Sequence, residues 1–141
     1  MADGLIGIVR NLFEGDPGVR RVADDPVLSA ELLLLFRMAL ADGTASETEM
    51  AELKRICRDS FGIGEESFEG VVEYLTDFGY ETSGSQAILL FEEMDLERRR
   101  QLVRHMAEIA KADATLAEDE VKLLKRALDV LGLSAEDVKG A

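Results

Sequence analysis

The chain has few of the residues that build disulfide frameworks, redox centres or hydrolase triads. Its 141 residues include one cysteine, one histidine, two prolines and no tryptophan. A single cysteine excludes an intrachain disulfide and a thiolate metal cluster. The single histidine, His105, has Leu102 three residues before it, so the Glu-x-x-His motifs of di-iron bundles are also excluded. We expect this histidine to be structural or exposed. We therefore predict that this protein is not an enzyme.

Charge is the next constraint on function. The chain carries 16 basic and 29 acidic residues, a formal net charge of −13. Such a surface repels phosphate backbones, so we expect no nucleic-acid partner and predict cations or a protein as the counterparts. No apolar run reaches transmembrane length, and residues 1–13 lack the basic start and cleavage site of a leader. These features predict a cytoplasmic protein whose membrane association, if any, is peripheral.

The apolar residues follow helical rather than strand spacing throughout the chain. We predict an all-α fold, a single compact bundle of about seven to eight helices. Residues 1–26 should form an N-terminal amphipathic helix over about residues 5–13, followed by a polar connector from Glu14 to Pro26. Residues 27–141 should form the main helical domain, with a late helix from about Glu118 to Leu131. Leu32 to Phe36 is apolar nearly all round, which predicts a central buried helix. The residues expected to be largely buried are Leu32, Leu35, Leu53, Val72, Leu90, Met106, Ile109, Leu124 and Leu128.

The most informative pattern in the chain is an internal repeat. Residues 39–56 return as residues 110–127, with nine of eighteen positions identical. The helix stop at Gly62 has a counterpart at Gly132. Each copy reads as a helix, an acidic turn and a second helix, with repeat halves at about 27–78 and 85–138. Because neither copy can bury its apolar face alone, we expect the two to pack about an approximate two-fold axis.

The acidic residues repeat in register, which packing alone would not require. Asp42 and Asp113 end the first helix of each copy, and Glu49 and Glu120 lie in the first turn of the second helix. A helix–turn–helix corner can fold these carboxylates together and offer oxygen ligands to a hard cation such as Ca²⁺ or Mg²⁺. The alternative interpretation is structural, because Asp-Gly forms ordinary turns and Ser46 with Glu49 forms an ordinary capping box.

The turns are not EF-hand loops. With Asp42 as the first loop position, Glu47 occupies the place of the required glycine, and Leu53 occupies that of the bidentate glutamate. The second copy fails in the same way, because Leu124 occupies the place of the bidentate glutamate. A cation site in this chain would therefore have another geometry.

These residues resemble the TerB-like family of helical domains associated with tellurite resistance. The resemblance covers roughly residues 27–138 and rests on Ala41-Asp42-Gly43-x-x-Ser46-x-x-Glu49, on the second copy from Ala112 to Glu120, and on the two glycine stops. It implies an all-α fold, a role in tellurite or stress resistance, and acidic residues that bind a divalent metal. The metal ligands would be Asp42, Glu49, Asp113 and Glu120, and Ca²⁺, Mg²⁺ or Zn²⁺ remain open as the ion.

Three functions remain compatible with the sequence. The first is a non-enzymatic acidic module that binds a divalent cation and a protein partner. The second is a scaffold without an ion, whose acidic turns are only structural. The third is a metal-dependent enzyme subunit, against which the missing nucleophile–base pair argues. The sequence predicts neither the partner nor the oligomeric state.

Overall fold

The structure is a computed structural model and describes residues 16–40, 46–112 and 118–139. Within these ranges every regular element is an α-helix and no strand occurs, which confirms the all-α prediction. The predicted helix over residues 5–13 and both acidic turns lie outside the described residues. The helices of the described ranges are α1 Pro17–Ala23, α2 Pro26–Ala39, α3 Glu47–Phe61, α4 Glu65–Glu81, α5 Gly84–Glu92, α6 Leu96–Ala112, α7 Glu118–Leu131 and α8 Ala135–Val138.

The prediction of a polar connector between Glu14 and Pro26 is wrong, because α1 occupies most of this segment. Asp16 caps this helix by accepting from the Gly18 amide at 2.9 Å, and Pro17 supplies a preset φ at the first position. Val19 and Val22 are fully buried. Two apolar residues three positions apart form too short a pattern to indicate a helix among the charged residues that surround them.

A second boundary also differs from the prediction. The segment from Gly79 to Gly84 was expected to separate the two halves, but α4 continues to Glu81 and α5 begins at Gly84. Ser83 caps α5 in a capping box with Gln86, so only Thr82 and Ser83 separate the two helices. Gly79 therefore lies inside a helix.

The core forms around α2, as the apolar run predicted. This helix packs against α1, α3, α4, α5, α6 and α7. Five residues predicted to be buried are buried: Leu32, Leu35, Leu53, Met106 and Ile109. Four others are half-buried and pack on the core from its edge: Val72, Leu90, Leu124 and Leu128.

The ends of the two repeat copies match closely. Gly62 follows α3 with φ 66° and Gly132 follows α7 with φ 69°, the left-handed conformation that glycine adopts without strain. The amides of Ile63 and Leu133 then donate at 2.9 Å to Cys57 and Leu128 in the preceding helical turn. The pseudo-two-fold relation of the whole halves stays a prediction, and the equivalent leucines already differ, since Leu53 is buried and Leu124 is half-exposed.

This difference gives a test of the repeat at the level of packing. We expect Leu53→Ala to lower the free energy of unfolding by about 2–5 kcal/mol, because it opens a cavity in the core. Leu124→Ala should cost clearly less, since part of that side chain already contacts water. Chemical denaturation of both variants measures the two values, and equal losses would contradict the packing described here.

Candidate metal centre

Two of the four predicted ligands, Glu49 and Glu120, lie within the described residues. Asp42 and Asp113 lie outside them. Both glutamates occupy the third position of their helix, α3 and α7, and both are buried, with 1% and 2% of their surface exposed. Glutamate is almost never fully buried unless it is paired. The glutamate that the two copies share is therefore a buried carboxyl group in both of them.

Glu49 is held in place by the capping box that the sequence predicted. The Glu49 amide donates to Ser46 Oγ at 3.1 Å, and Ser46 Oγ donates to Glu49 Oε1 at 3.1 Å. The Ser46 amide also points to Oε1, at 3.5 Å. One carboxylate oxygen is thus committed to the start of α3, where the helix dipole favours a negative charge.

The second oxygen of Glu49 has a different environment. Oε2 is buried and has no hydrogen-bond partner among the described residues. Leaving a buried carboxylate oxygen without a partner is costly, and native proteins rarely do so without a water, an ion or a function. A capping role uses Oε1 and leaves Oε2 unexplained.

The packing of α3 on α6 shows where this oxygen lies in the bundle. Ser60 near the end of α3 contacts His105, whereas Arg55 further back contacts Glu108, which lies later in α6. The two helices therefore run antiparallel. The start of α3, with Glu49, lies at the same end of the bundle as the end of α6.

This arrangement relates the two turns to each other. The first predicted turn leads into α3, and the second leaves α6 after Ala112 and leads into α7. Both turns therefore connect helix ends at one end of the bundle, and Glu49 of the first copy lies on the side where the second turn begins. Within the described ranges alone, no three His, Cys, Asp or Glu side chains cluster as metal ligands.

A second polar cluster surrounds His105, which sequence reasoning assigned only a structural or exposed role. The imidazole is buried against the Phe61 ring, and its Nε2 lies 3.3 Å from Ser60 Oγ and 3.1 Å from the Gln101 side-chain nitrogen. Burial lowers the His105 pKa. Nδ1 is buried without a hydrogen-bond partner in the described part of the chain, so no carboxylate there orients the ring as in a triad.

His105 forms one wall of an open cleft of about 520 Å³. Across this cleft the Arg98 guanidinium donates to the buried Glu31 carboxylate, with Nη2 to Oε1 at 2.8 Å and Nε to Oε1 at 3.2 Å. Burial raises the Glu31 pKa, although Arg98 opposes this shift. No sequence signal pointed to this pair, because its two members are 67 residues apart.

The α6 helix carries a basic cluster whose arginines are paired within the protein: Arg98, Arg99, Arg100 and Arg104. Arg100 donates to Asp137 at 2.8 Å and Arg104 donates to the Asp137 carbonyl at 3.3 Å. Arg99 donates to the backbone carbonyls of Glu92 and Leu131. Arginines on a helix commonly pair with acidic residues of the same protein. Several of the partners here lie in elements that are distant in the sequence.

The comparison with known families agrees with the resemblance noted in the sequence. The family described as "Tellurite resistance protein TerB" matches residues 29–141. The chain belongs to this family. No curated protein and no solved structure shows a statistically significant match to the chain. Across the described helices, none is both long and apolar enough to cross a membrane.

The buried histidine predicts a pH dependence of stability. Because the folded-state pKa of His105 lies below its ordinary value of about 6.5, the unfolded chain takes up the proton first as pH falls. Stability from this residue is therefore present above pH 6.5 and is lost as pH falls through that value, by at most about 1.4 kcal/mol per pH unit. Urea denaturation of the wild type and of His105→Gln should show that the difference between their free energies of unfolding narrows as pH falls from 7.5 to 5. A difference that stays constant over this range would contradict the prediction.

Proposed function

We propose that this protein is a non-enzymatic, cytoplasmic module of tellurite or stress resistance that binds a divalent cation at its two acidic turns. The ligands would be Asp42 and Glu49 from the first copy, with Asp113 and Glu120 from the second. The buried Oε2 of Glu49 carries this proposal, because it lies without a described partner at the end of the bundle where both turns connect. Carboxylate oxygens are the ligands that Ca²⁺ and Mg²⁺ prefer.

The chemistry of the donor set favours a hard ion. Only oxygen ligands are available at this end of the described bundle, since His105 lies at the far end of the α3–α6 pair and Cys57 is buried in the core. Burial raises the pKa of the Cys57 thiol to about 12, so it stays protonated and does not serve as a ligand. Zn²⁺ prefers nitrogen and sulfur in its structural sites and is thus the weakest of the three candidates.

The proposal predicts a stabilisation that depends on Glu49. A cation at a hundredfold excess over its dissociation constant should add about 2.7 kcal/mol to the free energy of unfolding. Calorimetric titration of metal-stripped protein with Ca²⁺, Mg²⁺, Mn²⁺ and Zn²⁺ should identify the ion, and its addition should raise the Tm. Glu49→Gln, alone or with Asp42→Asn, should remove most of this rise.

A matched control lies two residues away. Glu47 is exposed in the first turn of the same helix, so Glu47→Gln removes the same charge and should leave the metal response unchanged. Without metal, Glu49→Gln should be neutral or slightly stabilising, because glutamine can still cap and a buried charge is lost. Equal metal-induced shifts in the wild type and Glu49→Gln would refute the site and favour the ion-free scaffold.

An enzymatic role is the remaining alternative, and the contact of Ser60 with His105 is the observation that favours it. Against it stand the buried Nδ1 and the Gln101 amide, which competes with Ser60 for Nε2. We therefore retain the non-enzymatic assignment. A hydrolase screen with activated esters, comparing the wild type with Ser60→Ala, separates the two.

A further inference from the structure

An apolar groove lies on the face of the protein formed by α2 and α4. It has a volume of about 220 Å³ and is lined chiefly by Leu33 and Phe36 of α2, by Leu40 directly after this helix, and by Leu75, Gly79 and Tyr80 of α4. Tyr80 is 85% exposed and Leu40 is exposed as well. Tyrosine is enriched at protein interfaces, where its ring contributes area and its hydroxyl stays hydrated. We name this feature the α2–α4 groove.

A row of acids runs along α4 and reaches the groove at the C-terminal end of this helix. Glu65, Glu69, Glu73 and Asp77 follow one another at intervals of four residues, and we name them the acidic rim. Side chains at this spacing are neighbours on a helix, so like charges there destabilise it. In the described part of the chain, only Glu65 has a basic partner, Lys54 at 3.8 Å, and both side chains are well exposed. The rim therefore carries negative charge that the described protein leaves uncompensated.

Its position follows from helical geometry. Successive rim residues advance by about 40° around α4, and Val72, Thr76 and Tyr80 follow a parallel row on the groove side. The rim and the groove wall are thus adjacent stripes of one helix. An apolar groove beside an acidic rim is complementary to a helix that has one apolar face and one basic flank.

We propose that the α2–α4 groove binds a basic amphipathic helix of a partner protein. The partner's apolar residues, at helical spacing, would enter the groove between Leu33 and Tyr80. Its lysines or arginines would lie against the acidic rim. Arg37, which lines the opposite wall, requires a neutral or acidic residue on the partner's other flank and so fixes the orientation of the helix.

Two other classes of occupant fit the surface less well. Anionic lipid surfaces attract basic segments, so a membrane would be repelled by the acidic rim. Strand addition needs a free sheet edge, and the described helices offer none. This proposal goes beyond the cation site proposed above and does not depend on it.

Gly79 supplies a way to close the groove without changing its charge. A Cβ at this position would lie 3.4 Å from Leu33 Cδ1 and 3.5 Å from the Arg37 guanidinium, which is ordinary contact. Gly79→Leu should therefore be accepted by the helix while its side chain fills the trough. Tyr80→Ala removes the exposed ring instead, and Glu69→Lys with Glu73→Lys reverses the rim.

The test uses synthetic helical peptides and the full chain. The first peptide, of about 15 residues, carries leucines at helical spacing and lysines along one flank. A second replaces the lysines with glutamates, and a third scrambles the first. Fluorescence anisotropy near physiological salt, where exposed charges are screened, should show binding of the first peptide only. Gly79→Leu, Tyr80→Ala and the rim double variant should each weaken it at least tenfold.

The control variant is Glu92→Lys with Glu93→Lys on α5, which makes the same charge change at two exposed glutamates away from the groove. It should alter the affinity less than twofold. Equal loss in this control, or equal binding of the scrambled peptide, would show attraction by net charge alone and overturn the proposal. No binding of the first peptide would overturn it as well.

Other occupants would give distinct results. A dimer that Tyr80→Ala dissociates would assign the groove to a second copy of the chain. Tighter peptide binding after Ile8→Ser with Leu12→Ser would assign it to this chain's own N-terminal residues. Either result overturns the partner proposal. Glu49→Gln, with and without divalent cation, should leave peptide binding unchanged, so failure of the cation site and failure of the groove are distinguished.

Discussion

The fold depends on burying one helix, α2, on nearly all sides. Its apolar residues pack against six other helices, so each of those helices must present an apolar stripe to it. The same burial constrains its polar residues. Ser29 Oγ donates at 2.7 Å to the Val22 carbonyl, and Glu31 is matched by Arg98 from α6. A buried carboxylate without such a partner is strongly destabilising, so the Glu31–Arg98 pair fixes how α2 and α6 cross.

The residues that the two copies share divide into those explained by structure and those that are candidates for function. The glycine stops after α3 and α7 are explained by their positive φ, and the leucines by the core. The glutamates are not fully explained in this way. Glu49 uses one carboxylate oxygen to cap its helix, and the other is buried at the end of the bundle where both turns connect. The second copy buries the equivalent carboxyl group, that of Glu120, at the same position of its own helix.

The sequence predicted the features whose causes are local. Helical spacing predicted the fold class and the bounds of α7, and Ser46 with Glu49 predicted the capping box. It missed α1, whose few apolar residues lie among charges and become informative only when they meet α4. The cluster of His105 with Ser60 and the Glu31–Arg98 pair join segments 45 and 67 residues apart. No spacing rule within one helix predicts such contacts, because the packing of α6 on its neighbours creates them.

The short helix α8 shows a different balance of forces from the rest of the molecule. It is anchored to α6 chiefly through Arg100 and Arg104, which both bond to Asp137, and only Val138 adds apolar packing from its last turn. Ion pairs at a surface weaken as dissolved salt screens them, whereas core packing does not. The contact that attaches the C-terminal end of the described chain therefore weakens as ionic strength rises. Salt should loosen this end before it affects the core.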